Sequence, residues 1–171
     1  MRRGPGWKAA SSPWCSAPRA PSRDLLRGAV IALNTARIGH VYPPYRYEVS
    51  REKVREYAAA TGVRGDASEA EGGPLVAPPA FAACFTVGRG EAMFSDPELG
   101  AHPNLVHGSQ EYEFHRPIRV GDAVVCTPRI ADIKTKGGME FLTLEIACAD
   151  AATDDPVVTS RGTIIFFAQG E

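Results

Sequence analysis

The chain is poor in the residues that most readily declare a chemistry. It has four cysteines in 171 residues, at positions 15, 84, 126 and 148, with no Cys-x-x-Cys pair and no zinc-type spacing. Its four histidines are His40, His102, His107 and His115, and none falls between His40 and His102. His102 and His107 are not at ligand spacing for a helix, and no cysteine or acid completes a metal site around them. There is no Gly-x-Ser-x-Gly elbow, no phosphate-binding Gly-rich loop ending in Lys-Ser/Thr and no dinucleotide fingerprint. Charge of one sign is lacking too: 19 basic against 20 acidic residues leave a net charge of −1. That balance gives no support for nucleic acid or an anionic membrane as a partner. The longest apolar stretch, around residues 76–94, is too short and too interrupted by Gly88 and Gly90 to span a bilayer. The expectation is a cytoplasmic protein with reduced cysteines, no metal and no membrane segment.

What is present is enough for one packed domain. Residues 1–34 stand apart: six Lys/Arg, from Arg2 to Arg27, face the single acid Asp24 among many Pro, Ser, Ala and Gly, and no helical or strand period runs through them. Such a segment buries too little surface to offset its ordering entropy. It reads as a disordered basic tail or an over-long gene start with the true start near Val30; a transit-type leader is the alternative. Residues 35–171 form the expected domain.

From Ile38 the pattern is orderly. Tyr45–Val49 alternates as a short strand. Ser50 is a good N-cap, Val49 and Val54 occupy the two positions of a hydrophobic staple, and Gly62 is placed to end the helix. Residues 65–74 are acidic and Gly-rich, a loop. The organising stretch is Ala77–Phe94. Pro78 and Pro79 sit at a helix start, where a missing N–H costs nothing. Phe81, Cys84, Phe85, Gly88 and Ala92 recur at helical spacing, with Ala82, Ala83 and Val87 apolar on the other side. A helix apolar nearly all round is wrapped by other structure. Strands follow at Leu105–Phe114, Ala123–Thr135, Phe141–Cys148 and Val157–Phe167, with Pro128 marking an edge or bulge and Gly137-Gly138 a hairpin turn. In the first of these, Tyr112 and Phe114 share one face and Glu111 and Glu113 the other. The class is α+β.

Three stretches in this order carry a family resemblance: Tyr47 to Ala58 (YEVSREKVREYA), Ala77 to Phe81 (APPAF), and Gln110 to Ile118 (QEYEFHRPI) with Gly121-Asp122. Together they resemble the MaoC-like dehydratases of the hot-dog fold, specifically the N-terminal-half or FAS1-like dehydratase type. That type includes the A and C subunits of the actinobacterial (3R)-hydroxyacyl-ACP dehydratase. The resemblance implies a curved antiparallel sheet wrapped around one long central helix. It also implies reversible loss of water from a (3R)-3-hydroxyacyl thioester on acyl carrier protein or CoA, with no further cofactor. In competent members an Asp and a His of a Gly-Asp-x-Asn-Pro-x-His motif supply general acid/base chemistry. A backbone N–H at the start of the central helix polarises the thioester carbonyl.

The chain departs from that motif. After the first helix it reads Gly62-Val63-Arg64-Gly65-Asp66-Ala67, with no Asn-Pro-x-His following. Register places Val63 at the motif's Asp, with Asp66 three residues late. Members of the N-terminal-half type likewise lack the motif, pair with a catalytic hot-dog subunit and supply the acyl tunnel. The resemblance therefore implies a substrate-binding, non-catalytic subunit of a heteromer, in fatty-acid, polyketide or acyl-CoA metabolism. Pro79, Ala80 and Phe81 would lie nearest the thioester, and Phe81, Cys84 and Phe85 beside the acyl chain. The weak catalytic candidates are Asp66, which reads first as a loop acid, and His107, which reads first as a structural or solvent-facing histidine. Arg116 and Arg119 suit an acidic carrier or CoA phosphates as well as a solvated surface. Two alternatives stay open: a self-sufficient hydratase or thioesterase using Asp66 or His107, and an acyl-ligand-binding or structural hot-dog protein with no catalytic partner.

Overall fold

The computed structural model describes residues 32–63 and 75–167. Five strands, β1 (Tyr45–Glu48), β2 (Leu105–Phe114), β3 (Ala123–Lys136), β4 (Met139–Asp150) and β5 (Pro156–Phe167), form one sheet. Its order is β1-β3-β4-β5-β2, and every pairing is antiparallel. The hairpin between β3 and β4 turns on Gly137 and Gly138, both at positive φ (60° and 76°), as the two-residue turn that follows strand twist requires. Pro128 sits inside β3 without breaking it. Its carbonyl accepts from the Tyr42 N–H at 2.9 Å, so its missing N–H falls on the same, β1-facing side, where Pro43 and Pro44 interrupt the neighbouring chain.

Helix α1 (Arg51–Ala60) forms as the sequence dictates. Ser50 Oγ accepts from the Lys53 N–H at 3.2 Å, and Val49 and Val54 are both buried. At the other end the Val63 N–H bonds the Ala58 carbonyl at 2.9 Å and the Gly62 N–H the Ala59 carbonyl at 3.3 Å, the paired closure of a Schellman motif.

The arrangement is the hot-dog sheet, but the segment it encloses is not one long helix. Pro79–Ala82 is a 3-10 turn, α2 (Ala83–Thr86) is one α-turn, and α3 (Glu91–Phe94) is another. Val87 is extended and Gly88 has φ of 76°, so the chain leaves the helix there and re-enters it after Gly90. Periodicity marked the apolar face as far as Phe85; beyond it Gly88 and Ala92 are exposed, Val87 is 42% exposed, and the buried residue is Met93. It could not show that the two glycines would be used to turn the backbone.

Phe81 and Phe85 are 0% exposed and anchor this segment against the inner face of the sheet. Tyr47 packs on Phe85 at 5.1 Å between ring centroids, and Tyr57 meets Phe81 edge-on at 5.6 Å. Opposite them the inner face presents Val124, Cys126, Ile130, Leu142, Ile146 and Val158, all buried. Burying rings of this size supplies about 2–3 kcal/mol each. Cys84, Cys126 and Cys148 are free thiols. The contact with Cys126, together with burial, pushes the Cys148 thiol up, so it stays protonated and unreactive.

The packed chain reaches further back than the sequence implied. Leu33 is buried, with its N–H on Glu140 Oε1 at 2.8 Å, and the Asn34 N–H bonds the Leu99 carbonyl at 2.9 Å. Leu33 ends the short apolar run 29–33, which is too brief between Arg27 and Asn34 to show a period. The rest of the segment read as a tail, residues 1–31, lies outside the described residues.

Candidate functional site

Residues 75–77 run against 118–120. The Ala77 N–H bonds the Ile118 carbonyl and the Val120 N–H the Leu75 carbonyl, both at 2.8 Å. This crossing fixes the start of the helical segment, at Pro79, beside the end of β2, at Phe114. Between them lies a cavity of about 480 Å3 with a mostly apolar lining that includes Val76, Ala77, Pro79, Phe114, Pro117 and Ile118. Phe114 is 41% exposed at its mouth. Apolar walls with few polar groups suit an organic ligand.

The broken helix cannot satisfy its own polar ends, and tyrosines do so instead. Tyr57 donates to the Ala80 carbonyl at 2.8 Å and Tyr45 to the Phe85 carbonyl at 2.6 Å. Thr86 Oγ1 spends its proton on the Ala82 carbonyl at 2.9 Å, so the Tyr112 hydroxyl, 3.2 Å away, is the donor to Thr86. At the segment's start Pro79 has no N–H, the Phe81 N–H goes to the Pro78 carbonyl, and the Ala80 N–H has no acceptor among the described residues. Among the described residues this amide donor is left unbonded, one residue after Pro79 of the cavity lining.

The inner face of β2 continues away from that cavity. Phe114 and Tyr112 are followed by Gln110 and then His107. Strict alternation would put His107 and Gln110 on opposite faces. A bulge at Gly108 shifts the register, so that His107 pairs with Ile164 and Gln110 with Gly162, both on the inner side. A Cβ at Gly108 would come within 2.7 Å of Ile165 Cδ1, so a larger residue there requires the Ile165 side chain to move.

Of the residues singled out from the sequence, Pro79 and Ala80 are exposed beside the cavity and Cys84 is half-buried on α2. Burial raises the Cys84 thiol, partly offset by nearby Lys53. Phe81 and Phe85 are enclosed behind them. Asp66 lies outside the described residues. Val63 ends the α1 cap and is 37% exposed. His107 is exposed on the inner side of the edge strand. His115 is exposed and lines the same cavity, with Nε2 3.1 Å from Thr159 Oγ1, whereas the His102 ring stacks edge-on to Phe166 away from it. Arg116 borders the cavity but is committed: it bonds Asp122 at 2.6 Å and Asp150 at 2.8 Å. Contact with Asp122 raises its pKa further against the opposing effect of burial, so its charge is fixed. The cavity walls at Val76 and Ile118 were not foreseen, because only the 75–77/118–120 crossing brings them together. Among the described residues no group of three His, Cys, Asp or Glu side chains is close enough to share a metal ion, and no helix is long and apolar enough to cross a membrane.

A family model, the FAS1-like, dehydratase domain region, matches residues 36–160. A UPF0336 protein of Saccharopolyspora erythraea is 38% identical over 142 residues, covering 78% of this chain and 90% of that protein. A solved MaoC-like dehydratase superposes with a TM-score of 0.69 at 28% identity, covering 82% of this chain and 44% of that one. The HadBC (3R-hydroxyacyl-ACP dehydratase) complex of Mycobacterium tuberculosis superposes with a TM-score of 0.64 at 21% identity, covering 75% of this chain and 96% of that chain.

Proposed function

The chain belongs to the FAS1-like dehydratase family, and from that premise we propose that it is the substrate-binding, non-catalytic subunit of a heteromeric dehydratase acting on (3R)-3-hydroxyacyl thioesters of acyl carrier protein or CoA. The thioester sits at the cavity between Pro79 and Phe114. The open Ala80 N–H donates to its carbonyl, and the gain is largest as negative charge develops there when the α-proton leaves. Phe81 and Phe85 hold the helical segment rigid from behind, and Cys84 flanks the acyl chain. The groups that take the α-proton and protonate the departing 3-hydroxyl come from a second hot-dog subunit.

The observation that carries this reading is the sequence after α1, where no Asn-Pro-x-His follows Gly62-Val63. Two further features support it. Strand β2 is ten residues long at the sheet edge, with one side of its backbone unpaired by the described chain, a template for a second chain. The HadBC neighbour is itself a complex. The test is co-expression with a hot-dog protein that carries the Asp/His motif, followed by native mass measurement. A one-to-one heteromer is the expected result, and a chain that forms only homo-oligomers contradicts it.

A further inference from the structure

The inner face of β2 changes character along its length, and the polar end is built rather than incidental. Ser160 is buried, and Gln110 Nε2 donates to its Oγ at 2.7 Å. The same nitrogen lies 3.3 Å from the Glu111 carbonyl. A carbonyl only accepts, so that atom is the amide nitrogen and the orientation of the Gln110 amide is fixed. Gln110 Oε1 is left with no donor among the described residues. It lies over Gly162, 3.0 Å from the point where a Cβ would stand, and His107 Cε1 is 3.7 Å from the same point. The absent side chain at 162 and the bulge at Gly108 together place an anchored amide oxygen and an imidazole side by side on one open face.

We propose that this notch of Gln110, His107 and Gly162 is a specificity subsite for an acyl chain that carries a hydroxyl group far from its thioester. The inference rests on the acyl-thioester reading above, because it is the cavity at Pro79 and Phe114 that sets the other end of the chain. Four residues of extended strand separate Phe114 from Gln110, about 14 Å. A chain leaving the cavity along Tyr112 reaches the notch at that distance, well beyond the 3-hydroxyl that is lost in the reaction. A hydroxyl fits both neighbours, donating to Gln110 Oε1 and accepting from the imidazole N–H. A ketone offers no donor to Oε1, and a plain methylene chain leaves it desolvated and unpaired.

The experiment is calorimetric titration of the full-length chain with two probes, dodecanoyl-CoA and its omega-hydroxy derivative. The hydroxylated thioester binds about five-fold tighter, the worth of one neutral hydrogen bond. Gln110→Leu, of similar shape without the acceptor, loses the preference: it binds the two probes equally, and dodecanoyl-CoA at least as tightly as the unmodified chain does. Should that variant fold poorly, Ser160→Ala unties the amide while leaving its oxygen, and the preference shrinks. Equal binding of the two probes by the unmodified chain, or a preference that survives both substitutions, overturns the subsite and leaves acyl binding standing. Binding of neither probe overturns both.

Discussion

The Tyr45 hydroxyl donates to the main-chain carbonyl of Phe85 at 2.6 Å, joining the first strand to the last turn of the enclosed helical segment. The carbonyl needs an outside donor because Val87 turns extended and the helix stops short of supplying one. Burial, with Cys126 and Cys148 close by, pushes the Tyr45 hydroxyl up, so it remains a donor at any working pH. Tyr45→Phe keeps the ring and removes only that donor. It is expected to cost about 1–3 kcal/mol, the price of a stranded buried carbonyl, read as a lower urea midpoint with unchanged slope.

Acid should loosen the junction between the first described residues and the loop before β2. Arg37 bonds Asp96 Oδ2 at 2.6 Å, and Tyr42 donates to the same oxygen at 2.9 Å. Burial works to raise the Asp96 carboxyl, but Tyr42, the Glu98 amide and Arg37 outweigh it and hold it below the usual carboxylate range. Its folded pKa is thus the lower one, and the unfolded chain takes up the proton first as pH falls. The stabilisation is full above the unfolded value, about 4, and is lost as pH drops through the folded one. Tyr42 moves the other way, pushed up to about 12 by burial and by Asp96, so its contribution is full below about 10 and lost as pH rises towards 12. Thermal midpoints across pH should fall at both ends. Asp96→Asn should flatten the acid limb, and an unaltered limb would show that the pair contributes nothing.

The cavity mouth offers a substitution that separates binding from folding. Phe114 is 41% exposed, with its ring 5.9 Å from that of Tyr112, so Phe114→Arg should cost only about 1 kcal/mol of stability and leave the chain folded. A charged side chain over an apolar cavity should weaken acyl-CoA binding at least ten-fold by titration. Unchanged affinity would move the thioester site elsewhere.

How far the sequence reveals this molecule depends on whether a feature is periodic. The alternation in Leu105–Phe114 and in the later strands is strong enough that each strand is found where the apolar pattern puts it. The α1 caps are local chemistry at Ser50 and Gly62, and they form as read. Features that depend on a break in period are hidden. Gly88 turns the backbone where helical spacing continues, and the Gly108 bulge carries His107 onto the face of Gln110 against the count of residues. Long-range pairings are hidden as well. Nothing near Arg116 in the sequence announces Asp150, and an arginine that suited a carrier surface proves to be half of a structural network. The empty place of the catalytic motif, by contrast, is legible from the letters alone, since Val63 and the residues after it carry no Asn-Pro-x-His.

The most direct measurement of the central claim is hydration of crotonyl-CoA and of a longer enoyl-CoA by the pure chain, alone and mixed with a hot-dog subunit bearing the Asp/His motif. The account predicts no turnover by the chain alone, and turnover of the longer substrate by the mixture above that of the motif-bearing subunit by itself. Turnover by the chain alone would contradict it, and Asp66 and His107 would then be the first residues to replace.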